Sequence, residues 1–545
     1  MNLKTNVRKL IEDTIRMCAN CEGAEKLRYE LEKMAQRLNE PLRVAVFGLM
    51  KAGKSTLLNA IMKEKILFTG NLETTYRTNW FKYADTPSIT VVFKDGSKEN
   101  HPLEDLEKWT VRLKKKENPR IEDAKHVEIN YPNNVLKSLE IIDTPGLGSS
   151  HKSDSQNTLD LMGVKEEDRD EEIAATRVTM VDASAADALI YAFSHAPQAS
   201  DREILDAFYG GESTAPNSSP VNAIGVFTKA DIFWDVAREN DPMLDTKQVS
   251  ENLMKDNTLK QLLYTIKPVC AKVVESFSEL KEEDWDILRR LASLDEKIFR
   301  EVIFDASEFK NCSAEEFAGM FESAMDTTFT DEQRRNVCSA AERGKILDLL
   351  GQYGIRLGIN ALKAGIPTED MVEYFYEKSG IGDVCKLVFD HFGNRSYLLK
   401  LNYIFTHLKA TASQIMIANS TDKELKSICE NLSEEIINIM DTDQSFKELR
   451  VLQNFYNGYL KLGSEKEKEW MMQITGEYGK DCEAKLGADA GTNIRTMKQI
   501  AADRVKYWNE RENDIPYNRY YREAAQILSR SYNILYYHLD ALVGD

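Results

Sequence analysis

Between about residues 41 and 290, short apolar runs alternate with stretches whose apolar residues return every three or four positions. RVAVF (43–47), SITVVF (88–93), SLEIID (138–143), ALIYAF (188–193) and AIGVFT (223–228) have the length and composition of buried strands. VVFKDGSKENHP reads as a hairpin turning at Asp95-Gly96. Strands interleaved with helical stretches predict an α/β sheet with helices on its faces.

Beyond residue 290 the pattern changes. Eleven of the thirteen prolines lie before residue 270, and only Pro367 and Pro516 follow. A long tract almost free of proline and rich in Leu, Ile, Lys and Glu predicts helices. Ile346, Leu349, Leu350, Tyr353 and Leu357 keep helical spacing. Ser379 reads as the N-cap of a helix carrying Ile381, Val384 and Val388 and ending at Gly393, with another helix over 394–409. The expected organisation is an N-terminal helical segment (1–40) packing on the helical part, an α/β domain (41–290) and a helical assembly (291–545).

Composition narrows the function. The chain has 545 residues, 42% hydrophobic, with a net charge of −18 and a pI near 5.1. That balance argues against a protein that coats nucleic acid. No apolar run reaches membrane-spanning length, and MNLKTNVRKLIEDTIRM lacks the apolar core of a signal peptide, so a cytoplasmic location is expected. Cys18 and Cys21 form a C-x-x-C pair, but they share a helical stripe with Val7, Leu10 and Ile11, and no second pair completes a zinc set. Packing is the favoured reading. RLKKKENPR (112–120) reads as a solvated basic face, and Trp470, Met471, Met472 and Ile474 of EWMMQI read as core rather than a lipid-inserting loop.

The chemistry begins in FGLMKAGKSTLLNAI (47–61). Gly48, four residues, then Gly53-Lys54-Ser55 lie between a strand and a helix, which is the context a phosphate-binding loop needs. Backbone N–H groups along the loop, with Ala52 and Thr56 among the cradling positions, would face phosphate oxygens at a helix N-terminus. Lys54 would reach the β- and γ-phosphates, and the Ser55 hydroxyl would ligate Mg²⁺. In LEIIDTPGLG, Asp143 ends a strand, where a carboxylate can hold Mg²⁺ through water, and the Gly146 N–H can sense the γ-phosphate. Thr228-Lys229-Ala230-Asp231 follows another strand. The Asp231 carboxylate can accept from guanine N1–H and the 2-amino group together, a donor pair adenine lacks. The Lys229 stem can cover the base plane. Cys270-Ala271-Lys272 follows a further strand, and a backbone N–H at Ala271 or Lys272 could meet guanine O6. These stretches in this order select GTP/GDP. A threonine for Mg²⁺ and the γ-phosphate is expected between the loop and Asp143; Thr75 is favoured over Thr74, with Thr78 nearby. The long interval from Thr75 to Asp143 requires an inserted lobe.

The KAGKSTLLNA loop, TTYRTNWFKY, INYPNNVLKSLEIIDTPGLG and TKAD together resemble the dynamin superfamily, in particular its bacterial dynamin-like branch, the LeoA type among its relatives. LLGQYGIRLGI and SGIGDVCKLVFDHFGNRSYLLKLNYIFTHL are similar to trunk segments of that group. The resemblance implies a P-loop GTPase domain with a mixed, mostly parallel sheet on an elongated helical neck and trunk. It implies GTP hydrolysis with Mg²⁺, slow until heads dimerise, a homodimer through the GTPase domains or a second dynamin-like subunit, and action at the inner face of a membrane as a peripheral protein. No nucleic acid is expected. Met50 and Lys51 depart from the Gln and Ser of eukaryotic dynamins. Met50 cannot orient water, and Lys51 either supplies charge to catalysis or points into solvent. The segment 149–182 is longer than the family pattern and reads as a regulatory or partner-binding insertion or a disordered loop. A GTP-gated scaffold with little hydrolysis is the rival reading, favoured by Met50. An RNA assembly-factor GTPase is a third, opposed by the acidic composition.

Overall fold

The computed structural model describes residues 3–49, 51–67, 78–110, 118–144, 186–195, 220–235, 238, 240–325, 328, 330, 337–418, 422–512 and 518–543. Its centre is a nine-stranded sheet in the order β4-β3-β5-β2-β6-β1-β7-β8-β9. The strands are β1 (Leu42–Phe47), β2 (Thr78–Tyr83), β3 (Ser88–Phe93), β4 (Lys98–His101), β5 (Ala124–Tyr131), β6 (Leu139–Asp143), β7 (Ala188–Phe193), β8 (Ala223–Phe227) and β9 (Ile266–Pro268). β6, β1, β7, β8 and β9 run parallel, whereas β2 is antiparallel to β6, and β3 is antiparallel to both β5 and β4. The sheet is therefore mixed and mostly parallel, as the pattern and the resemblance imply. The predicted hairpin is β3–β4.

Alternation along β1 shows how the sheet is buried. Leu42, Val44 and Val46 face a core shared with Leu57, Leu58 and Ile61 of the helix α3 (Lys54–Met62), while Ala45 and Phe47 face a second core with Ile142, Leu189 and Tyr191. The strand β5, AKHVEINY, was not singled out from sequence. Two of its residues, His126 and Glu128, are polar on a face that is largely buried, and they break the apolar signature.

The N-terminal helices α1 (Leu3–Ala19) and α2 (Glu25–Arg37) bury Val7, Ile11, Cys18, Leu27 and Leu31 in one core with Leu401, Ile404, Leu432, Trp508 and Tyr532. Cys18 and Cys21 are both buried there, and burial pushes the Cys18 thiol up to about 11. Met471, Met472 and Ile474 are buried in the same core. Trp285, Leu288, Phe299, Phe317, Ile346 and Ile359 form another core with Phe277, while Ile381, Val384 and Phe392 join the core under α3.

The helix expected around Ile346 spans Ala340–Lys363, with a non-helical Gly351 inside it. Ser379 is not itself the N-cap of the next helix, although its hydroxyl accepts the Ile381 N–H at 3.4 Å. It ends Met371–Lys378, and Gly380, at φ 77°, opens Ile381–Leu387. The chain then continues through a π-helical turn, Val388–Gly393, into Ser396–Ala418. Gly393 does not terminate it, because its neighbours keep right-handed helical backbone.

Candidate functional site

The carboxyl ends of the parallel strands lie along one edge of the sheet, and strand order reverses beside β1. In open α/β sheets that reversal opens a crevice for a ligand. β1 delivers Gly48 there, β6 delivers Asp143, β8 delivers Thr228 and β9 leads to Cys270.

Gly48 has no room for a side chain. A Cβ built on it would stand 2.2 Å from the Ala192 carbonyl oxygen of β7, so only glycine lets the loop lie on that strand end. Gly53, at φ 82°, opens α3. The Lys54 Nζ folds back over the loop, donating to the Gly48 and Leu49 carbonyls at 3.0 and 3.2 Å, and the side chain is buried. Ser55 and Thr56 begin the helix and are partly exposed. Lys51 is exposed and sits at φ 61°, a left-handed backbone unusual for lysine. Ala52 is buried, and its carbonyl accepts the Thr228 hydroxyl at 2.7 Å.

Thr228 is a residue whose packing role sequence reasoning missed. It is 1% exposed; its N–H donates to the Phe193 carbonyl at 2.8 Å, and its hydroxyl also lies 3.1 Å from that oxygen. One side chain thus ties the turn after β8 to the loop after β1 and to the end of β7. Lys229 follows at φ 57° and is exposed, while the Ala230 N–H donates to the Val269 carbonyl at 3.1 Å. Asp231 is partly exposed and accepts the Cys270 thiol at 3.4 Å through Oδ1. Burial, then the adjacent Asp231 carboxylate, pushes that thiol well up, so it remains a protonated donor.

Ala271 starts the helix Ala271–Glu279. The Lys272 ammonium turns to the buried Glu275 at 3.1 Å. Glu275 also accepts Asn59 Nδ2 at 2.8 Å, so the helix after β9 and α3 are joined by a buried polar bond. The Asn59 Oδ1 in turn accepts the Leu67 N–H at 2.8 Å, fixing the exit from α3.

Asp143 is fully buried. The register places Asn79 of β2 opposite it, and Asn79 Nδ2 donates to its Oδ2 at 3.3 Å. The Thr144 hydroxyl donates to the Val46 carbonyl at 2.9 Å, which anchors the chain leaving β6. The Ser55 hydroxyl, the Asp143 carboxylate and the Asn79 amide oxygen are all oxygen donors, the chemistry a hard cation such as Mg²⁺ takes. Met50, Thr74, Thr75, Gly146 and most or all of 112–120 and 149–182 lie outside the described residues.

Residues 44–207 match the dynamin family model. The isoniazid-induced protein IniC of Mycobacterium tuberculosis is 24% identical over 485 residues, 88% of this chain and 87% of that protein. Dynamin-like protein 2 of Campylobacter jejuni is 31% identical over 134 residues, 25% of this chain and 21% of that one. The bacterial dynamin-like protein of Nostoc punctiforme is 30% identical over 128 residues, 22% and 18% of the two chains. A solved oligomerised bacterial dynamin pair, described as providing a mechanism for long-range sensing and tethering of membranes, aligns over 98% of this chain and 91% of that one at 14% identity and a TM-score of 0.34. The family match spans the glycine loop and Asp143, so residues 44–207 form a dynamin-family domain, and the chain is similar to bacterial dynamin-like proteins.

Proposed function

We propose that the chain binds GTP in the crevice beside β1 and hydrolyses it to GDP and phosphate, with Gly48, Lys51, Ala52, Gly53, Lys54, Ser55 and Thr56 around the phosphates and Asp231 reading the base. The observation that carries this reading is the Thr228 hydroxyl on the Ala52 carbonyl, which fixes the base-reading turn and the phosphate loop as one unit. Lys54, already held over the loop by two carbonyls, would exchange them for β- and γ-phosphate oxygens. Lys229 would lie along the base, and Ala271 or Lys272 would offer an N–H to O6.

Ser55, Asp143 and Thr75 are the residues we assign to Mg²⁺. A bound Mg²⁺ neutralises charge on the β- and γ-phosphate oxygens. The antiparallel course of β2 supports Thr75: the chain preceding Thr78 enters the sheet at the end where Asp143 leaves it. Gly146, three residues beyond Asp143, is assigned to the γ-phosphate.

The finer reading is a mechanochemical GTPase. Two heads, or a head and a second dynamin-like subunit, would complete each other's sites, and the helical part would act at a lipid surface from the cytoplasm. Residues 1–40 and 291–545 would form the neck and trunk around the head (41–290). Among the described residues no helix is long and apolar enough to cross a membrane, which fits peripheral attachment. The experiment that tests base recognition is Asp231→Asn: guanine nucleotide should lose affinity and xanthine nucleotide gain it, since xanthine presents a carbonyl where guanine has its amino group. Undiminished GTP affinity would remove Asp231 from the site. Turnover per molecule that stays constant across a wide protein concentration range would remove the head dimer.

A further inference from the structure

Asn79 is 1% exposed, at the start of the strand that enters the sheet beside Asp143. Its Nδ2 is spent on Asp143 Oδ2, at 3.3 Å. Its Oδ1 is buried and has no hydrogen-bond partner among the described residues. An unmet buried amide oxygen costs about 1–3 kcal/mol. A strand position that needed only to pack would hold an apolar residue, as Phe81 does two places on. The orphan oxygen stands across the ladder from the carboxylate assigned to the cation, because Asn79 and Asp143 are paired in register. Directly opposed residues of an antiparallel pair project to the same face, so the two side chains point the same way.

We propose that Asn79 is a positioning residue of the cation site: its Nδ2 orients the Asp143 carboxylate, and its Oδ1 accepts a hydrogen bond from a water of the bound divalent ion. The proposal rests on the assignment of Asp143 to Mg²⁺. It gives the strand after Thr75 a direct tie to the ion, so that the position of β2 and the occupancy of the cation site depend on each other. An amide suits the task better than a carboxylate would in the free protein. It can donate to Asp143 and accept from water at once, and it adds no second buried negative charge.

The test is the affinity of the GDP complex for Mn²⁺, read by electron paramagnetic resonance as loss of the free-ion signal, with thermal melting alongside. Asn79→Leu keeps the volume and removes both hydrogen-bonding atoms. Its GDP complex should bind Mn²⁺ about tenfold more weakly, the usual loss when an outer-shell partner of a ligand is removed. Its GDP affinity at saturating metal should stay within about twofold of the parent's. Asn79→Asp restores an acceptor and adds a charge that the ion neutralises, but it lacks the donor to Asp143, so it should bind Mn²⁺ more tightly than Asn79→Leu without having to reach the parent. A merely structural role would leave both variants alike. Parental Mn²⁺ affinity in Asn79→Leu, or binding in Asn79→Asp no tighter than in Asn79→Leu, overturns the proposal. Asn79→Ala takes the place of Asn79→Leu in both comparisons if the leucine variant does not fold. Asp143→Ala separates the premises: if that protein also keeps parental Mn²⁺ affinity, the assignment of the cation site fails rather than the role of Asn79 within it.

Discussion

Thr228→Val keeps the shape of a buried side chain and removes a single hydroxyl. That hydroxyl donates to the Ala52 carbonyl at 2.7 Å. The Phe193 carbonyl, its other neighbour, still receives the Thr228 N–H at 2.8 Å and is not left wanting. The loss therefore falls on Ala52, a residue 3% exposed in the glycine loop proposed to hold the phosphates. Withdrawing a donor from a buried carbonyl costs about 1–3 kcal/mol. Part of the cost appears in the free protein as a melting temperature lower by about 2–4 °C per kcal/mol for a domain of this size. The remainder appears on binding, because nucleotide needs the loop in the position the hydroxyl maintained. If 1–2 kcal/mol is charged to binding, affinity falls about 5- to 30-fold. Thr228→Ser retains the donor and should bind within about threefold of the parent. Titration with a fluorescent GDP analogue and thermal melting measure both effects. Parental affinity in the valine variant, or equal losses in serine and valine, would refute the clamp.

Lys51 has a left-handed backbone and an exposed side chain. If its ammonium serves the transition state, Lys51→Ala should lower kcat, by up to ~10³-fold as for a removed arginine finger, and leave GDP affinity nearly unchanged. Lys51→Gly should show the same kcat loss with stability within about 1 kcal/mol of the parent, since relief at φ 61° offsets the entropy glycine adds to the unfolded chain. Equal kcat in all three proteins would make Lys51 a bystander. The buried group of His391, Arg395, Glu477 and Tyr264 gives a pH dependence. Burial lowers the His391 pKa, and in Glu477 the hydrogen bonds and charges of His391 and Arg395 outweigh burial and hold the carboxyl at about 2. Both folded values lie below the unfolded ones, so the stability these groups contribute is present above about pH 6.5 for the histidine and about pH 4.3 for the glutamate, and is lost as pH falls through each. Melting temperature should drop as pH falls from 7 to 2, with a contribution from Glu477 on the order of 3 kcal/mol over that range, less than about 1 kcal/mol of it above pH 4, that Glu477→Gln abolishes; an unchanged pH profile in that variant would assign the acid sensitivity elsewhere.

Most of the sheet and the order of the site elements were legible in the sequence because each signal is local. Five apolar runs have strand length, and the glycine loop, Asp143 and Asp231 each follow one directly. What could not be read there depends on residues far apart in the chain. Asn79 meets Asp143 only through an antiparallel register, and Thr228 meets Ala52 across three strands of the sheet. Neither side chain differs in type from an ordinary strand or turn residue. Ser379 was misread for a related reason. Serine before an apolar period is a cap signal, but Gly380 takes the cap position, one residue later; the Ser379 hydroxyl accepts the Ile381 N–H and its carbonyl the Cys270 N–H at 2.9 Å. β5 was missed because His126 and Glu128 occupy positions that an isolated strand pattern expects to be apolar. Their setting is supplied by neighbours: the His126 ring stacks on Trp80, with centroids 5.1 Å apart, and Glu128 pairs with Lys82 at 2.8 Å.

That bond from Cys270 to Ser379 makes the turn of Asp231, which we propose reads the base, dependent on the helical segment behind it. Asp231 accepts the Cys270 thiol, and Cys270 is held by the Ser379 carbonyl. Gly380 lets the two backbones meet. A Cβ there would stand 2.4 Å from the Pro268 carbonyl oxygen, and Pro268 ends β9. Gly380→Ala must therefore push Ile381–Leu387 and the end of β9 apart, in addition to the left-handed penalty of about 1–2 kcal/mol at φ 77°. Gly365 is the control. It has nearly the same backbone, φ 79°, and open space where a Cβ would go. Gly365→Ala should carry the backbone penalty alone, lowering the melting temperature and leaving GDP affinity at the parent's value. Gly380→Ala should lower both, because displacing Pro268 moves Cys270 and through it the carboxylate of Asp231. A fall in GDP affinity of about tenfold corresponds to 1.4 kcal/mol withdrawn from base recognition, the order of a hydrogen bond to a charged acceptor. If the two alanine variants differ in stability but not in GDP affinity, the helical segment supports the fold of the head without bearing on the base, and the route from Gly380 to Asp231 is broken at Cys270.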